Sequence, residues 1–445
     1  MIRRLLTLLA LCAATAAAAP PDYVIVDLGL VQPGDFASQG FRVSDGGVAV
    51  GRSFGTPTYA FSWTEAGGLT GLPNLAGRDY GVANGANDSG MVVGTGATTS
   101  FGSSPLPLAW QDGVVSQLPL PPGQTLGRAN AVNALGKAVG SVNGGSLERA
   151  AIFEVGTPRV IGATTDTGCF MTTAYGINDS DLIVGTGIDP ANAARNVGMA
   201  YEDVLGGAWE VGALPGRNGA LCFDVSDAGH VTGGSMLNQG DSTPFLWTAT
   251  GGMVEIPLPL GATSGSGRGV NDDGWVVGNA GGLYAVPFLW DGQDTYRIQD
   301  LLPPGSGWDL ATNTSSSALG ISDAGMIVGT GVHDGAIRAY ALIPDDASSV
   351  LVRPTAELGF PSPNPSNGGT SLAFRLPAAR AVTLTVHDVR GRRVRTLIDG
   401  ALADGDHTAV WDGRTEAGAD APAGVYFLTL RTPESVQARR VVVAR

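Results

Sequence analysis

Short apolar runs alternate with breaks rich in Gly, Asn and Asp from Tyr23 to Ile343. None of this region carries the 3.6-residue spacing of an amphipathic helix, so it reads as strands and turns. One phrase recurs seven times. It runs Ser44-Asp-Gly-Gly-Val-Ala-Val-Gly51, Asn87-Asp-Ser-Gly-Met-Val-Val-Gly94 and Asn133-Ala-Leu-Gly-Lys-Ala-Val-Gly140. It continues as Asn178-Asp-Ser-Asp-Leu-Ile-Val-Gly185, Ser226-Asp-Ala-Gly-His-Val-Thr-Gly233, Asn271-Asp-Asp-Gly-Trp-Val-Val-Gly278 and Ser322-Asp-Ala-Gly-Met-Ile-Val-Gly329. The starts lie 43, 46, 45, 48, 45 and 51 residues apart. Asn or Ser followed by Asp-x-Gly is turn chemistry: short polar side chains bond back to the backbone and Gly takes the positive φ. The apolar residues after it begin a strand, and the closing Gly ends the strand or admits another backbone at close range.

An aromatic phrase follows each turn, as in Ala60-Phe-Ser-Trp63, Leu108-Ala-Trp110, Phe245-Leu-Trp247 and Phe288-Leu-Trp290. A last strand then ends near Leu-Pro. Four short strands in about 45 residues, repeated, predict β-propeller blades, with an open stack as the competing architecture. The last period lacks its fourth strand. Tyr23-Val-Ile-Val-Asp-Leu28 matches Tyr296-Arg-Ile-Gln-Asp-Leu301 in spacing, which predicts that the N-terminal strand completes the final blade and closes the ring. A closed ring leaves no exposed sheet edge there. The expected fold is therefore all-β: a seven-bladed propeller over 22–343, a linker over 344–360, and a small immunoglobulin-like β-sandwich over 361–445. The sandwich rests on alternating stretches such as Leu372–Leu376, Val382–Val386 and Gly424–Leu430.

The repeats, the Ala-Phe-x-Trp phrase and Asp27-Leu-Gly29 resemble the bacterial extracellular HAF repeats. The fourth copy departs most, and the His that often precedes Ala-Phe is absent. That family carries no activity that could be placed on a residue. The C-terminal stretch resembles the FlgD-like immunoglobulin-type domain and the sorting domains of type IX secretion. The resemblance lies in Pro363-Asn-Pro365, Gly391-Arg-Arg-Val-Arg-Thr-Leu397, Trp411-Asp-Gly413 and Gly424-Val-Tyr-Phe427. It implies export or attachment at the cell surface.

Met1-Ile-Arg-Arg, an apolar stretch from Leu5 to Ala14 and small residues up to Ala19 have the layout of a secretory signal, with cleavage expected near residue 18. An extracellular or cell-surface protein without a transmembrane segment after signal removal follows, expected to be a monomer. The chain carries 26 basic and 40 acidic residues, a formal charge of −14. That excludes a basic footprint for nucleic acid. The excess sits before residue 361, where 32 acidic residues face 13 basic ones after Arg4. Lys137, the only lysine, reads as biased composition.

Two cysteines remain after signal removal, Cys169 and Cys222, and in an oxidising compartment they are a candidate disulfide. The turn aspartates Asp45, Asp88, Asp179, Asp227, Asp272 and Asp323 invite a calcium reading. One carboxylate per turn falls short of the six to eight oxygens Ca²⁺ takes, so structural turns are preferred and no cofactor is expected, with structural calcium as the alternative. His230, His333, His387 and His407 lack metal-ligand spacing. There is no Gly-x-Ser-x-Gly elbow and no phosphate loop. Trp63, Trp110, Trp247 and Trp290 read as packing between blades, and Trp275 and Trp308 as more exposed. With no catalytic constellation, the chain reads as a binding module for an extracellular protein or glycan. A hydrolase or lyase using acidic residues at the channel face and a purely structural surface protein are the alternatives.

Overall fold

The computed structural model describes residues 21–345, apart from 100–102, 144–146, 239–240 and 282–283, and residues 357–444, apart from 360, 377–379, 390–391, 404 and 433–435. The expected signal segment and most of the expected linker lie outside the described residues. Strands dominate, and among the described residues the one helical turn is a 3₁₀ segment, Ile298–Leu301.

Seven antiparallel sheets follow one another. The first holds Ala37–Val43, Ala49–Phe54, Tyr59–Thr64 and Gly68–Leu72. Five more of the same order occupy 80–117, 126–160, 170–210, 219–255 and 264–297. The seventh holds Ser317–Ile321, Ile327–His333 and Ala336–Pro344, with Trp308–Asp309 beside Ile327–His333. Its outer strand is Tyr23–Asp27, which pairs antiparallel with Ala336–Pro344 in the register Tyr23↔Pro344 to Asp27↔Tyr340. Each sheet packs on the next, and the first packs on the seventh. The ring is thereby closed by the N-terminal strand, as the Tyr23–Leu28 match anticipates.

The phrase explains this packing. Its fourth residue turns the chain with positive φ in every copy: Gly47, Gly90, Gly136, Gly229, Gly274 and Gly325 lie between 78° and 82°. In the fourth copy Asp181 does the same at 63°, a conformation Asp tolerates better than most side chains. The closing glycine has a different duty. A Cβ on Gly51, Gly94, Gly140, Gly185, Gly233, Gly278 or Gly329 would lie 1.8–2.2 Å from a carbonyl oxygen of the preceding strand. No side chain can yield there, so backbone must move. Gly233→Ala is expected to cost about 1–3 kcal/mol, the range for overpacking a filled interior, read as a lowered urea midpoint. An unchanged midpoint would show that the sheet tolerates the shift.

Between sheets the aromatic phrases supply the core. Trp63, Trp110 and Trp290 are buried, Trp247 is partly buried, and each packs in a cluster shared by neighbouring sheets. Trp308 corrects its expected exposure: it is buried, stacks on the His333 ring at 4.5 Å and meets Tyr340 edge-on. Trp275 is half-buried against the same cluster. The expected Cys169–Cys222 disulfide is also corrected: both thiols are free and buried. Cys169 belongs to the core between the third and fourth sheets and Cys222 to the next core along, so different walls separate them.

The C-terminal part is a two-sheet sandwich. One sheet orders Glu357–Leu358, Thr370–Leu376 and Gly405–Trp411. The other orders Arg393–Leu402, Arg380–Asp388, Gly424–Arg431 and Val436–Val443. Trp411 lies between them against Tyr426 and donates its indole N–H to the Arg414 carbonyl at 2.9 Å.

Candidate functional site

The inner strand of each sheet ends at the Asp-x-Gly turn, so all seven turns gather around one mouth of the central channel. There the turn aspartates act as rivets. Asp88 accepts the Gly46 N–H at 2.6 Å, Asp179 that of Ala134 at 2.8 Å, and Asp227 that of Asp179 at 2.7 Å. Asp272 accepts the Ala228 N–H at 2.5 Å, Asp323 that of Asp272 at 2.8 Å, and Asp45 that of Asp323 at 3.0 Å. The circle fails only where Ala134 replaces Asp. In four copies the leading Asn adds a second tie, from its amide to the next turn's carbonyl: Asn87 to Asn133, Asn133 to Asn178, Asn178 to Ser226 and Asn271 to Ser322. Serine cannot span that gap. All six sequence-singled aspartates are thus brought together, in a role that joins sheets. Among the described residues no group of three or more His, Cys, Asp or Glu is arranged to hold a metal ion.

A cavity of about 160 Å³ opens at this mouth, lined by Asp45, Asp88, Asp179, Asp227 and Asp323. Asp272 joins the circle without lining it. Crowding resists ionisation. Partial burial, then repulsion from Asp323, raises Asp45 from 3.8 to about 8. Burial, then Asp179, raises Asp227 to about 7; burial, then Asp272, raises Asp323 to about 6. Folded pKa values above the unfolded one mean that the stabilising state is the protonated one. That contribution is whole below about pH 4 and is lost as pH rises through 6, 7 and 8. The melting temperature is expected to fall between pH 5 and pH 9. Asp45→Asn keeps the accepting oxygen and cannot ionise. It should melt higher than the parent at pH 9 and alongside it at pH 4; a parental melting curve flat across this range would contradict the assignment.

Below the mouth the channel is closed. Arg42, from the first sheet, reaches Asp224 of the fifth in a salt bridge and donates to the carbonyls of Phe223 at 2.7 Å and Tyr175 at 3.2 Å. Asp224 also accepts the Val270 N–H at 3.2 Å. Beyond this waist, Arg268 lies 4.0 Å over the Phe223 ring, and the Tyr175 ring meets Phe223 at 5.4 Å with a 60° tilt. None of these residues is evident from motifs. A signal exists nonetheless: the position two residues before the phrase is Gly85, Ala131, Gly176, Gly269 and Gly320 in five copies but Arg42 and Asp224 in two, an opposite-charge pair amid small residues.

The opposite face carries the blade-to-blade connections. Its rim exposes Phe36 by 70 %, Leu147 by 56 %, Leu237 by 42 % and Tyr284 by 42 %. Arg52 lies 4.4 Å over Phe54 and donates to Gln39 and Tyr80, both neutral. Arg149 lies 4.5 Å over Phe170.

The sandwich touches the carboxylate-lined face. Arg440 donates to the Ser180 carbonyl at 2.8 Å and approaches Glu202 at 3.6 Å and Asp181 at 3.9 Å. Lys137 binds Asp181 at 2.9 Å and Asp203 at 2.8 Å, with its side chain largely enclosed. The single lysine thus holds a structural place that composition alone concealed.

No curated protein matches this chain. Among solved structures it is similar to PorZ, an essential bacterial surface component of the type-IX secretion system of Porphyromonas gingivalis (11 % identity, 91 % of this chain, 70 % of that one, TM-score 0.23). It is similar to TolB from Acinetobacter baumannii (11 %, 70 % and 64 %, 0.38). A third likeness is to the β-propeller domain of the Trilobed protease from Pyrococcus furiosus (9 %, 66 % and 89 %, 0.35). At these identities and TM-scores the likenesses carry no argument about this chain. Residues 362–434 match the FlgD Ig-like domain, so the chain is a propeller of successive four-stranded sheets that ends in a FlgD-type immunoglobulin-like domain.

Proposed function

We propose that this chain is an interaction module of the cell envelope or exterior, presenting its loop face to an extracellular protein or glycan. One observation carries the reading: Phe36, Leu147, Leu237 and Tyr284 stand exposed on the loop face, whereas the six turn aspartates of the other face are each tied to a neighbouring backbone amide. Exposed apolar side chains rimmed by polar ones mark contact surfaces. The HAF-type repeats and the N-terminal signal layout support an address outside the cytoplasm. The FlgD-like domain serves export or attachment, the role its likeness to sorting domains of type IX secretion supports. Among the described residues no helix is long and apolar enough to cross a membrane.

The test is direct. Purified mature chain is passed over immobilised cell-surface glycans and extracellular proteins, with Phe36→Ser/Tyr284→Ser as the control. Saturable retention that the control weakens supports the reading; no retention on either panel removes it.

A second reading, hydrolase or lyase, draws on the carboxyls of Asp45 and Asp227, raised to about 8 and 7, because catalytic acids are tuned toward the working pH. Product release from polysaccharide that Asp45→Asn and Asp227→Asn abolish would put catalysis in place of binding.

A further inference from the structure

Arg268 stands out because nothing neutralises it. It sits on an inner strand, Ser264–Val270, facing the channel beyond the Arg42–Asp224 waist. Its Nε is sealed from solvent without a hydrogen-bond partner. Among the described residues no carboxylate or carbonyl meets any of its nitrogens, although acidic residues outnumber basic ones 40 to 26 in this chain. Its contact is the face of Phe223 at 4.0 Å. Arg42, close enough to disfavour its charge, is already committed to Asp224. Arg268 is half-buried, and a guanidinium so enclosed normally finds a carboxylate or carbonyl because leaving it unpaired is costly. Phe223 offsets a part of that cost, since a cation is attracted to an aromatic face.

The surroundings narrow what could complete it. Tyr175 packs on the same Phe223 ring at a 60° tilt, and burial, then Glu148, pushes its hydroxyl above the ordinary range, so it stays a donor. Arg268 is the extra residue of a β-bulge between Gly267 and Gly269, which turns it out of the sheet's regular alternation. The Arg42–Asp224 waist lies to one side of Arg268 and the loop face to the other.

We propose that the channel beyond the waist is an oxyanion subsite, in which the planar donors of Arg268, with the Tyr175 hydroxyl, take the carboxylate of an acidic sugar reaching in from the loop face. This rests on the loop face being the binding surface. A guanidinium matches a carboxylate bidentately, and the Tyr175 hydroxyl beside it suits a hydroxylated sugar better than an apolar tail.

The experiment uses the full mature chain and three probes, D-glucuronate, inorganic sulfate and D-glucose, titrated by calorimetry and by ligand-observed NMR. Glucuronate is expected to bind at least threefold more tightly than sulfate, with glucose not binding. Arg268→Met should weaken glucuronate at least tenfold, and Tyr175→Phe, which leaves the guanidinium in place should Arg268→Met not fold, about threefold. Sulfate binding as tightly as glucuronate would make the site a bare anion site and overturn the sugar assignment. Glucuronate binding untouched by both variants would overturn the subsite. If none of the probes binds while the protein or glycan panel still retains the chain, the subsite fails and the broader reading stands; if both fail, the broader reading falls too.

Discussion

A chain trimmed to begin after Leu28 is expected to lose cooperative folding of the ring, or to melt at least 10 °C lower. The trimmed segment completes the seventh sheet by a five-residue ladder from Tyr23↔Pro344 to Asp27↔Tyr340. Tyr23 and Leu28 are each only 2 % exposed, and burying such side chains stabilises by about 1.5–3 kcal/mol apiece. Leu28 N–H donates to the Ala339 carbonyl at 3.0 Å, and the Asp27 carboxylate meets His333 Nδ1 at 2.9 Å. With about 0.5–1.5 kcal/mol net per hydrogen bond, the loss is on the order of 6 kcal/mol or more, comparable with the whole stability of many domains. Trimming would also bare the edge of Ala336–Pro344, an invitation to pair with another copy. Tyr23→Ala isolates the anchor: it removes the packing and the hydroxyl's bond to the Gly325 carbonyl, and about 3–5 kcal/mol is expected, as for other large aromatic truncations. Urea denaturation followed by circular dichroism reads both. A synthetic peptide of residues 20–31 added to the trimmed chain should restore part of the loss. Unaltered melting after trimming would mean that the ring is not closed by this strand.

The ring was legible because its determinants are local and repeated. Turn glycines, β-branched runs and aromatic phrases each act within a few residues, so seven copies average out the noise of any one. The Tyr23 strand was legible for a related reason: it carries the spacing of the stretch from Tyr296 to Leu301 that ends the sixth sheet, where a short strand runs into the 3₁₀ turn. What escaped notice acts across the ring. Arg42 and Asp224 lie 182 residues apart and belong to no motif. Asp45 and Asp323 are 278 apart, and their link exists only once the circle closes. The aspartates could be found in the sequence, but their work of riveting neighbours could not. The cysteines misled because an even count says nothing about which core each thiol faces.

The fourth copy shows what a broken pattern can mean. It is the copy that puts Asp181 where the others keep Gly, and that residue carries the left-handed φ of 63°. The side chain so gained binds Lys137 at 2.9 Å, from the third turn, and faces Arg440 of the sandwich at 3.9 Å. The third turn, in its turn, lacks an aspartate at Ala134 and contributes the single lysine instead. Two neighbouring departures therefore combine into one cross-sheet ion network, which Arg159 extends by binding Asp203. Where a repeat abandons its rule at a cost in backbone conformation, a contact outside the repeat is the place to look.

Arg42→Ala is the second large effect expected. The side chain ties the first sheet to the fourth and fifth through one salt bridge and two carbonyls. Arg42 is 20 % exposed and Asp224 12 %, so water can reach the pair only in part. Removing one member of such a pair costs about 3–5 kcal/mol, chiefly because the other is left enclosed and unpaired; the partial access here places the expectation near 3. Asp224→Ala should cost a similar amount, since it strands a guanidinium and frees the Val270 N–H. The pair itself is worth less than either loss. Arg42→Met with Asp224→Leu replaces both charges by apolar groups, and it should recover to within about 1 kcal/mol of the parent. With the single variants Arg42→Met and Asp224→Leu completing a double-mutant cycle, a coupling of about 2 kcal/mol or more is expected. A coupling below about 0.5 kcal/mol would mean that the two residues do not act together, and that the channel is not held shut at this point. The same cycle separates stability from access: the apolar pair keeps the waist filled, whereas the single alanine opens it and should let small anions reach Arg268 from either mouth.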